Sequence, residues 1–148
     1  MNHNPPQIVT LAERLMVEIE DAVSRFPRRH KYGLGDKLRA AGEEGALLAQ
    51  QAWRAQADKA RQVSLVQQFI RSNDALKLRL QVGHRLQCFT SGGRFEQLAS
   101  LASDLGRQAG GWHKQIAKHL NGQNPAAVAR PERPETLSTA AASQGAKP

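Results

Sequence analysis

The sequence predicts an all-α protein, an antiparallel up-down four-helix bundle, on three observations. Apolar and small residues recur in steps of three and four through four successive stretches. No stretch shows the sustained alternation or paired-turn signals of strands. The connections are short, which sets neighbouring helices antiparallel. The chain has 148 residues, 40% of them apolar, enough for one domain with a core.

The first helix, 7–25, carries Ile8, Leu11, Leu15, Ile19, Ala22 and Phe26 on one side, and Pro27 ends it. The second, 30–56, begins within the basic run Arg28-Arg29-His30-Lys31 and repeats Leu34, Leu38, Ala41, Gly45, Leu48, Ala52 and Ala55. Its Gly33, Gly35, Gly42 and Gly45 each cost roughly 1 kcal/mol against Ala inside a helix. With Ala41, Ala46 and Ala49 they make a smooth side on which another helix can sit closely. The third helix, 58–88, is built on Val66, Phe69, Asn73, Leu76, Leu80 and Gly83, and Ser91-Gly92-Gly93 breaks the chain after it. The fourth, 94–120, carries Phe95, Leu98, Ala102, Leu105, Ala109, Trp112 and Ile116. These helices make up a domain over 7–121. Residues 1–6 read as a flexible polar leader. Residues 122–148, with four prolines and no period, read as a disordered tail.

The net charge of +8 points to a polyanionic partner, and its distribution sharpens the point. Residues 1–58 hold eight basic and eight acidic side chains, whereas 59–121 hold ten basic against three acidic. Arg107, Lys114 and Lys118 share the side of the fourth helix opposite its core stripe. Phe26, Phe69, Phe95 and Trp112 fall on inward stripes and Trp53 on a flank, so no stacking platform is expected. Any nucleic-acid binding should be led by the phosphate backbone. The residues assigned to nucleic acid or a protein partner are Arg71, Lys77, Arg85, Arg107, Lys114 and Lys118.

The third helix also carries a second apolar stripe, Ala75, Leu78, Val82 and Phe89, flanked by Arg71 and Arg85. A helix apolar on two faces must be buried twice, which predicts a subunit interface and a closed ring. Glu13, Glu20 and Asp21, beside Val17 on the first helix, offer the facing surface.

Catalytic apparatus is not expected. The sequence has no nucleophile elbow, phosphate-binding loop or dinucleotide fingerprint, and Glu43 and Glu44 diverge on a helix. His84 and Cys88 are four apart, but no second pair completes a metal site. With one cysteine, no leader peptide and no membrane-length apolar run, the protein is expected to be cytoplasmic, without cofactor or metal.

Two segments carry a family resemblance. "FPRRHKYGLGDKLRAAG" resembles a segment of small four-helix-bundle proteins that include those encoded within 23S ribosomal RNA intervening sequences. "RFEQLASLASDLGRQAGGWHKQ" is similar to the C-terminal helix of the accessory variability determinant (Avd) proteins of diversity-generating retroelements, through Phe95, Leu98, Leu101, Leu105-Gly106-Arg107 and Gly110-Gly111-Trp112. The likeness spans roughly 8–118. It implies a homopentameric barrel of four-helix bundles with a basic surface. It also implies a non-catalytic accessory that binds a reverse transcriptase and its template RNA or cDNA during mutagenic reverse transcription. Two other readings stay open: a stand-alone RNA-binding or scaffold bundle of the intervening-sequence type, and a protein-only interaction module.

Overall fold

The computed structural model describes residues 4–123. The first three residues of the expected leader, and all of the expected tail beyond residue 123, lie outside the described residues. All regular structure among the described residues is helical: α1 (Gln7–Ser24), α2 (Arg28–Lys31), α3 (Leu34–Arg54), α4 (Lys59–Arg85) and α5 (Gly92–Gln123). The class is therefore all-α. α1 packs against α3 and α5, and α4 packs against the same two helices, so the four long helices form a closed circuit of contacts.

α1 starts after Pro6, whose carbonyl accepts from the Val9 N–H at 3.0 Å. It buries Ile8, Ala12, Leu15, Ile19, Ala22 and Val23 along one face. The expected second helix is divided in two. Pro27 begins a single basic turn, α2, its carbonyl accepting from the N–H groups of His30 and Lys31. Tyr32 and Gly33 then turn the chain, and α3 starts at Leu34. The basic run is thus a separate knob on one end of the structure and not the first turn of the glycine-rich helix.

The expected close approach of that helix is realised at two of its four glycines. A Cβ on Gly35 would stand 2.7 Å from Val23 Cγ1 and 3.3 Å from the His30 carbonyl oxygen. One on Gly42 would stand 3.2 Å from Ile19 Cδ1 and 3.4 Å from Met16 Cα. The order of these contacts shows α3 rising as α1 descends. Gly45 is in ordinary contact range of Phe69, and Gly33 has open space around it.

Asp58 caps α4, its carboxylate accepting from the Arg61 N–H at 3.1 Å. The other end differs from expectation: α4 stops at Arg85, before Ser91-Gly92-Gly93. Gln87 takes φ 59°, its N–H donates to the His84 carbonyl, and the Cys88 N–H donates to the Gly83 carbonyl at 2.9 Å. This pair of bonds is the Schellman termination, here with glutamine in the left-handed position that glycine usually takes. The two glycines that looked like a break form the first turn of α5. Ser91 caps that turn, its Oγ accepting from the Arg94 N–H at 3.1 Å. α5 runs for 32 residues, about 48 Å at about 1.5 Å per residue.

The core lies within the circuit, with Ile19, Val23, Leu38, Val66, Leu80, Leu98 and Leu105 almost fully enclosed. Two buried amides cross it. Gln62 Nε2 donates to the Ala52 carbonyl at 2.9 Å, and Asn73 Nδ2 donates to the Ala102 carbonyl at 2.8 Å.

Gly35→Ala should lower the free energy of unfolding by about 1–3 kcal/mol through overpacking. Gly111→Ala, with nothing within 4 Å of the new methyl, should raise it by about 1 kcal/mol through helix propensity. Urea denaturation measures both, and equal shifts would refute tight α1–α3 contact. By the same assay Gln87→Gly should stabilise the protein by about 0.5–1 kcal/mol, because glycine tolerates the left-handed conformation better. A loss of stability would assign the glutamine side chain a bond of its own.

Candidate nucleic-acid interface

The six cations singled out in the sequence occupy unequal settings. Arg71, Arg85, Lys114 and Lys118 are exposed, and none forms an ion pair among the described residues. Lys77 lies 3.5 Å from Asp74. Arg107 projects into solvent but donates to Asp104 Oδ1 at 2.6 Å, so its charge is already paired on its own helix. Arg107, Lys114 and Lys118 do share the outer side of α5, as helical spacing requires.

Arg94, counted in the basic excess of 59–121, is consumed within the fold. Its guanidinium donates to Glu18 Oε2 at 2.6 Å, to Asp21 Oδ2 at 2.9 Å and to the Glu18 carbonyl at 3.1 Å, tying α5 to α1. Glu20 accepts from Arg39 at 3.1 Å, and Asp21 also lies 3.5 Å from Arg25. Most of the acidic surface expected on α1 is therefore spoken for, leaving Glu13 beside the exposed Val17.

The balanced charge of residues 1–58 concealed a cluster. Arg25 pairs with Asp21, and Arg39 with Glu20 and Asp36, whereas Arg28, Arg29, Lys31 and Lys37 have no ion-pair partner among the described residues. Tyr32, 67% exposed, stands among them. Arg29 approaches Cys88 of the α4–α5 connection: burial pushes the thiol's pKa up, and the guanidinium pulls it partly back. That end of the structure, with Arg85 at the close of α4, is a basic pole. A run of four basic or histidine residues after Phe26-Pro27 was the sequence signal for it, and the charge sum over the whole segment obscured it.

Of the second apolar stripe, Leu78 and Val82 face solvent, at 62% and 39% exposure, and Ala75 is half-buried beside them. Phe89 does not belong to it. α4 ends before Phe89, and the reversal at Gln87 turns its ring inward, 5.2 Å edge-on from Phe26 and 5.8 Å from Phe95. Leu86, exposed next to the helix end, takes its place. His84 and Cys88 likewise part company: His84 stacks on Phe95 at 4.2 Å, while Cys88 is buried. Among the described residues no group of three or more His, Cys, Asp or Glu side chains could hold a metal ion. No helix among them is long and apolar enough to cross a membrane.

A feature that the stripes did not reveal lies at the end opposite the basic pole. Trp53 and Trp112 line a pocket of about 290 Å³ with Pro6, Gln56, Lys59, Gln62, Gln115, Ile116 and His119. Trp112 is on the inward stripe as expected, yet half-buried, with one side of it open to this pocket.

Compared with models of known protein families and with curated proteins, the chain shows no match.

Proposed function

We propose that the four long helices constitute an up-down four-helix bundle protomer of a ring-shaped homo-oligomer, and that this assembly is a non-catalytic, cytoplasmic accessory of a reverse transcriptase. It holds template RNA or cDNA by its phosphates while the polymerase copies it. The observation that carries the nucleic-acid part is a set of cations outside the proposed ring contact and without ion partners among the described residues: the exposed Lys114 and Lys118 of α5, joined by Arg28, Arg29 and the partly exposed Lys31 of α2. Lys and Arg so placed displace counterions from a polyanion without first breaking a salt bridge. The polymerase as partner, and five as the subunit number, rest on the likeness of 94–112 to the accessory variability determinant proteins.

The ring is supported by complementary outer faces. One is apolar and basic, with Leu78, Val82 and Leu86 between Arg71 and Arg85. The other is apolar and acidic, with the exposed Val17 and Leu47 near Glu13, Glu43 and Glu44. Each protomer presents both, so the contact is head to tail and propagates until it closes.

Leu78→Glu combined with Val82→Glu should yield monomers, since an unpaired carboxylate is costly to bury. Multi-angle light scattering reads the result, and a monomeric unmutated protein at micromolar concentration would end the ring proposal.

For the unmutated protein, log affinity for RNA should fall linearly with log salt, by about 0.7 per phosphate contact on a single strand. Changing Arg107, Lys114 and Lys118 together to Gln should weaken unrelated sequences alike and make that slope shallower. A triple variant that keeps RNA binding but no longer captures the reverse transcriptase would move these residues from the nucleic-acid surface to the polymerase contact.

A further inference from the structure

We infer that the pocket between Trp53 and Trp112 receives an unstacked base of a single-stranded nucleic acid. The inference rests on the nucleic-acid reading above and adds a second mode of contact to it. Phosphates are met by the stripe on α5, and a base is met by the indoles.

Four observations meet at this place. The first is ring surface. Both tryptophans of the chain line the same pocket, and an indole offers any base a stacking face irrespective of sequence. Arg54 lies over one face of the Trp53 ring, 5.5 Å from its centroid, a cation–π contact within the protein.

The second is size and charge. About 290 Å³ lies just below the range of drug-sized ligand pockets, about 300–1,000 Å³, and suits a smaller guest such as a base with part of its sugar. No carboxylate is among the lining residues, whereas Lys59 is. Its ammonium donates to Gln62 Oε1 at 3.2 Å, which holds it at the wall. An anionic or neutral guest is admitted and a cationic one is disfavoured.

The third is the polar edge. Gln115, exposed on α5, presents its amide at the rim of the pocket, a side chain of the kind that pairs with base edges. Trp53 Nε1 is buried and has no hydrogen-bond partner among the described residues. A buried indole N–H ordinarily finds an acceptor; this one is enclosed, so a base would meet Trp53 through the ring and not through its N–H.

The fourth is continuity with the basic stripe. Gln115, Ile116 and His119 form the α5 wall. Lys118 follows Gln115 at i+3 on the helix surface and Lys114 precedes it directly, so the stripe runs to the edge of the pocket. A strand tracking the lysines brings its bases past the opening. A duplex keeps its bases stacked and paired and cannot fill it.

Because the two tryptophans of the chain are both in the pocket, intrinsic fluorescence reports on it without a label. The experiment titrates the full chain with oligoadenylate RNA, with a DNA duplex of equal length and with adenosine monophosphate, exciting beyond the absorption of the bases. Anisotropy of end-labelled strands gives binding in parallel. Quenching of tryptophan emission by the single strand, absent with the bound duplex, is the expected result. Trp112→Ala should then weaken the single strand roughly ten-fold or more while leaving duplex affinity and the salt slope unchanged. Circular dichroism checks that this variant folds, and if it does not, the emission of the unmutated protein decides alone. Binding of the single strand by anisotropy with no change in emission overturns the pocket assignment and leaves the phosphate-led reading standing. Quenching by adenosine monophosphate without any binding of polymer keeps the pocket and overturns that reading. No response to any of the three overturns both.

Discussion

The two amide bonds that α4 makes inside the core fix the positions of its neighbours, and the rest of the structure depends on them. Apolar contacts alone would let long helices slide, since leucine and alanine repeat along every stripe. Gln62 and Asn73 are each almost fully buried, and a buried amide without a partner costs about 1–3 kcal/mol. Gln62 reaches the Ala52 carbonyl of α3 and Asn73 reaches the Ala102 carbonyl of α5. A slip of one turn, about 5.4 Å, would strand both. The bond of Gln62 also sets the pocket, because Ala52 precedes Trp53 and Gln62 itself lines the wall. Gly106 borders the same amide: a Cβ there would stand 3.4 Å from Asn73 Nδ2 and 3.7 Å from Lys77 Nζ, in ordinary contact with both.

Electrostatics completes what packing begins. Arg94, its side chain only 16% exposed, holds Glu18 and Asp21, and Arg39 spans from Asp36 on its own helix to Glu20 on α1. These pairs close α1 against α5 and α3 and are formed where partial burial weakens screening by water. Their second consequence is a separation of charge. Glu18, Glu20, Asp21 and Asp36 are matched within the fold, and the cations without ion partners among the described residues include those of α2 and of the outer sides of α4 and α5.

Much of the arrangement was legible because a helical core writes itself as a period. The stripes read from Ile8 to Phe26, Leu34 to Ala55, Val66 to Gly83 and Phe95 to Ile116 include most of the buried residues. Boundaries were less legible. Ser91-Gly92-Gly93 looked like a break, but a serine cap makes glycines acceptable in a first helical turn. The true end of α4 depends on Gln87 adopting a conformation that its residue type does not announce. That error placed Phe89 on the wrong face. The α2 knob was hidden by summing charges that the fold separates, and the Trp53–Trp112 pocket by distance along the chain. Each tryptophan alone sits on or beside an inward stripe, and only the registration of α3 with α5 brings the two to one end.

The distribution of cations also constrains how the proposed ring and the proposed nucleic-acid contact can coexist. Arg71 and Arg85 flank Leu78 and Val82 on one face of α4. A face that buries those apolar side chains against Glu13, Glu43 or Glu44 of a neighbour spends its arginines on carboxylates. The same guanidinium cannot then neutralise a phosphate at full strength. Phosphate binding must accordingly move to the surfaces that a side-by-side ring leaves open, which are the two ends of each protomer. One end carries Arg28, Arg29, Lys31 and the exposed Tyr32. The other carries Lys114 and Lys118 next to the tryptophan pocket. Closure of the ring repeats each end around a rim. A modest site per protomer becomes an array whose neighbours raise one another's effective concentration. In the proposed assembly the lateral faces would serve assembly and the rims binding, which divides the cations of α2 and α5 from those of α4 by the contact each is free to make.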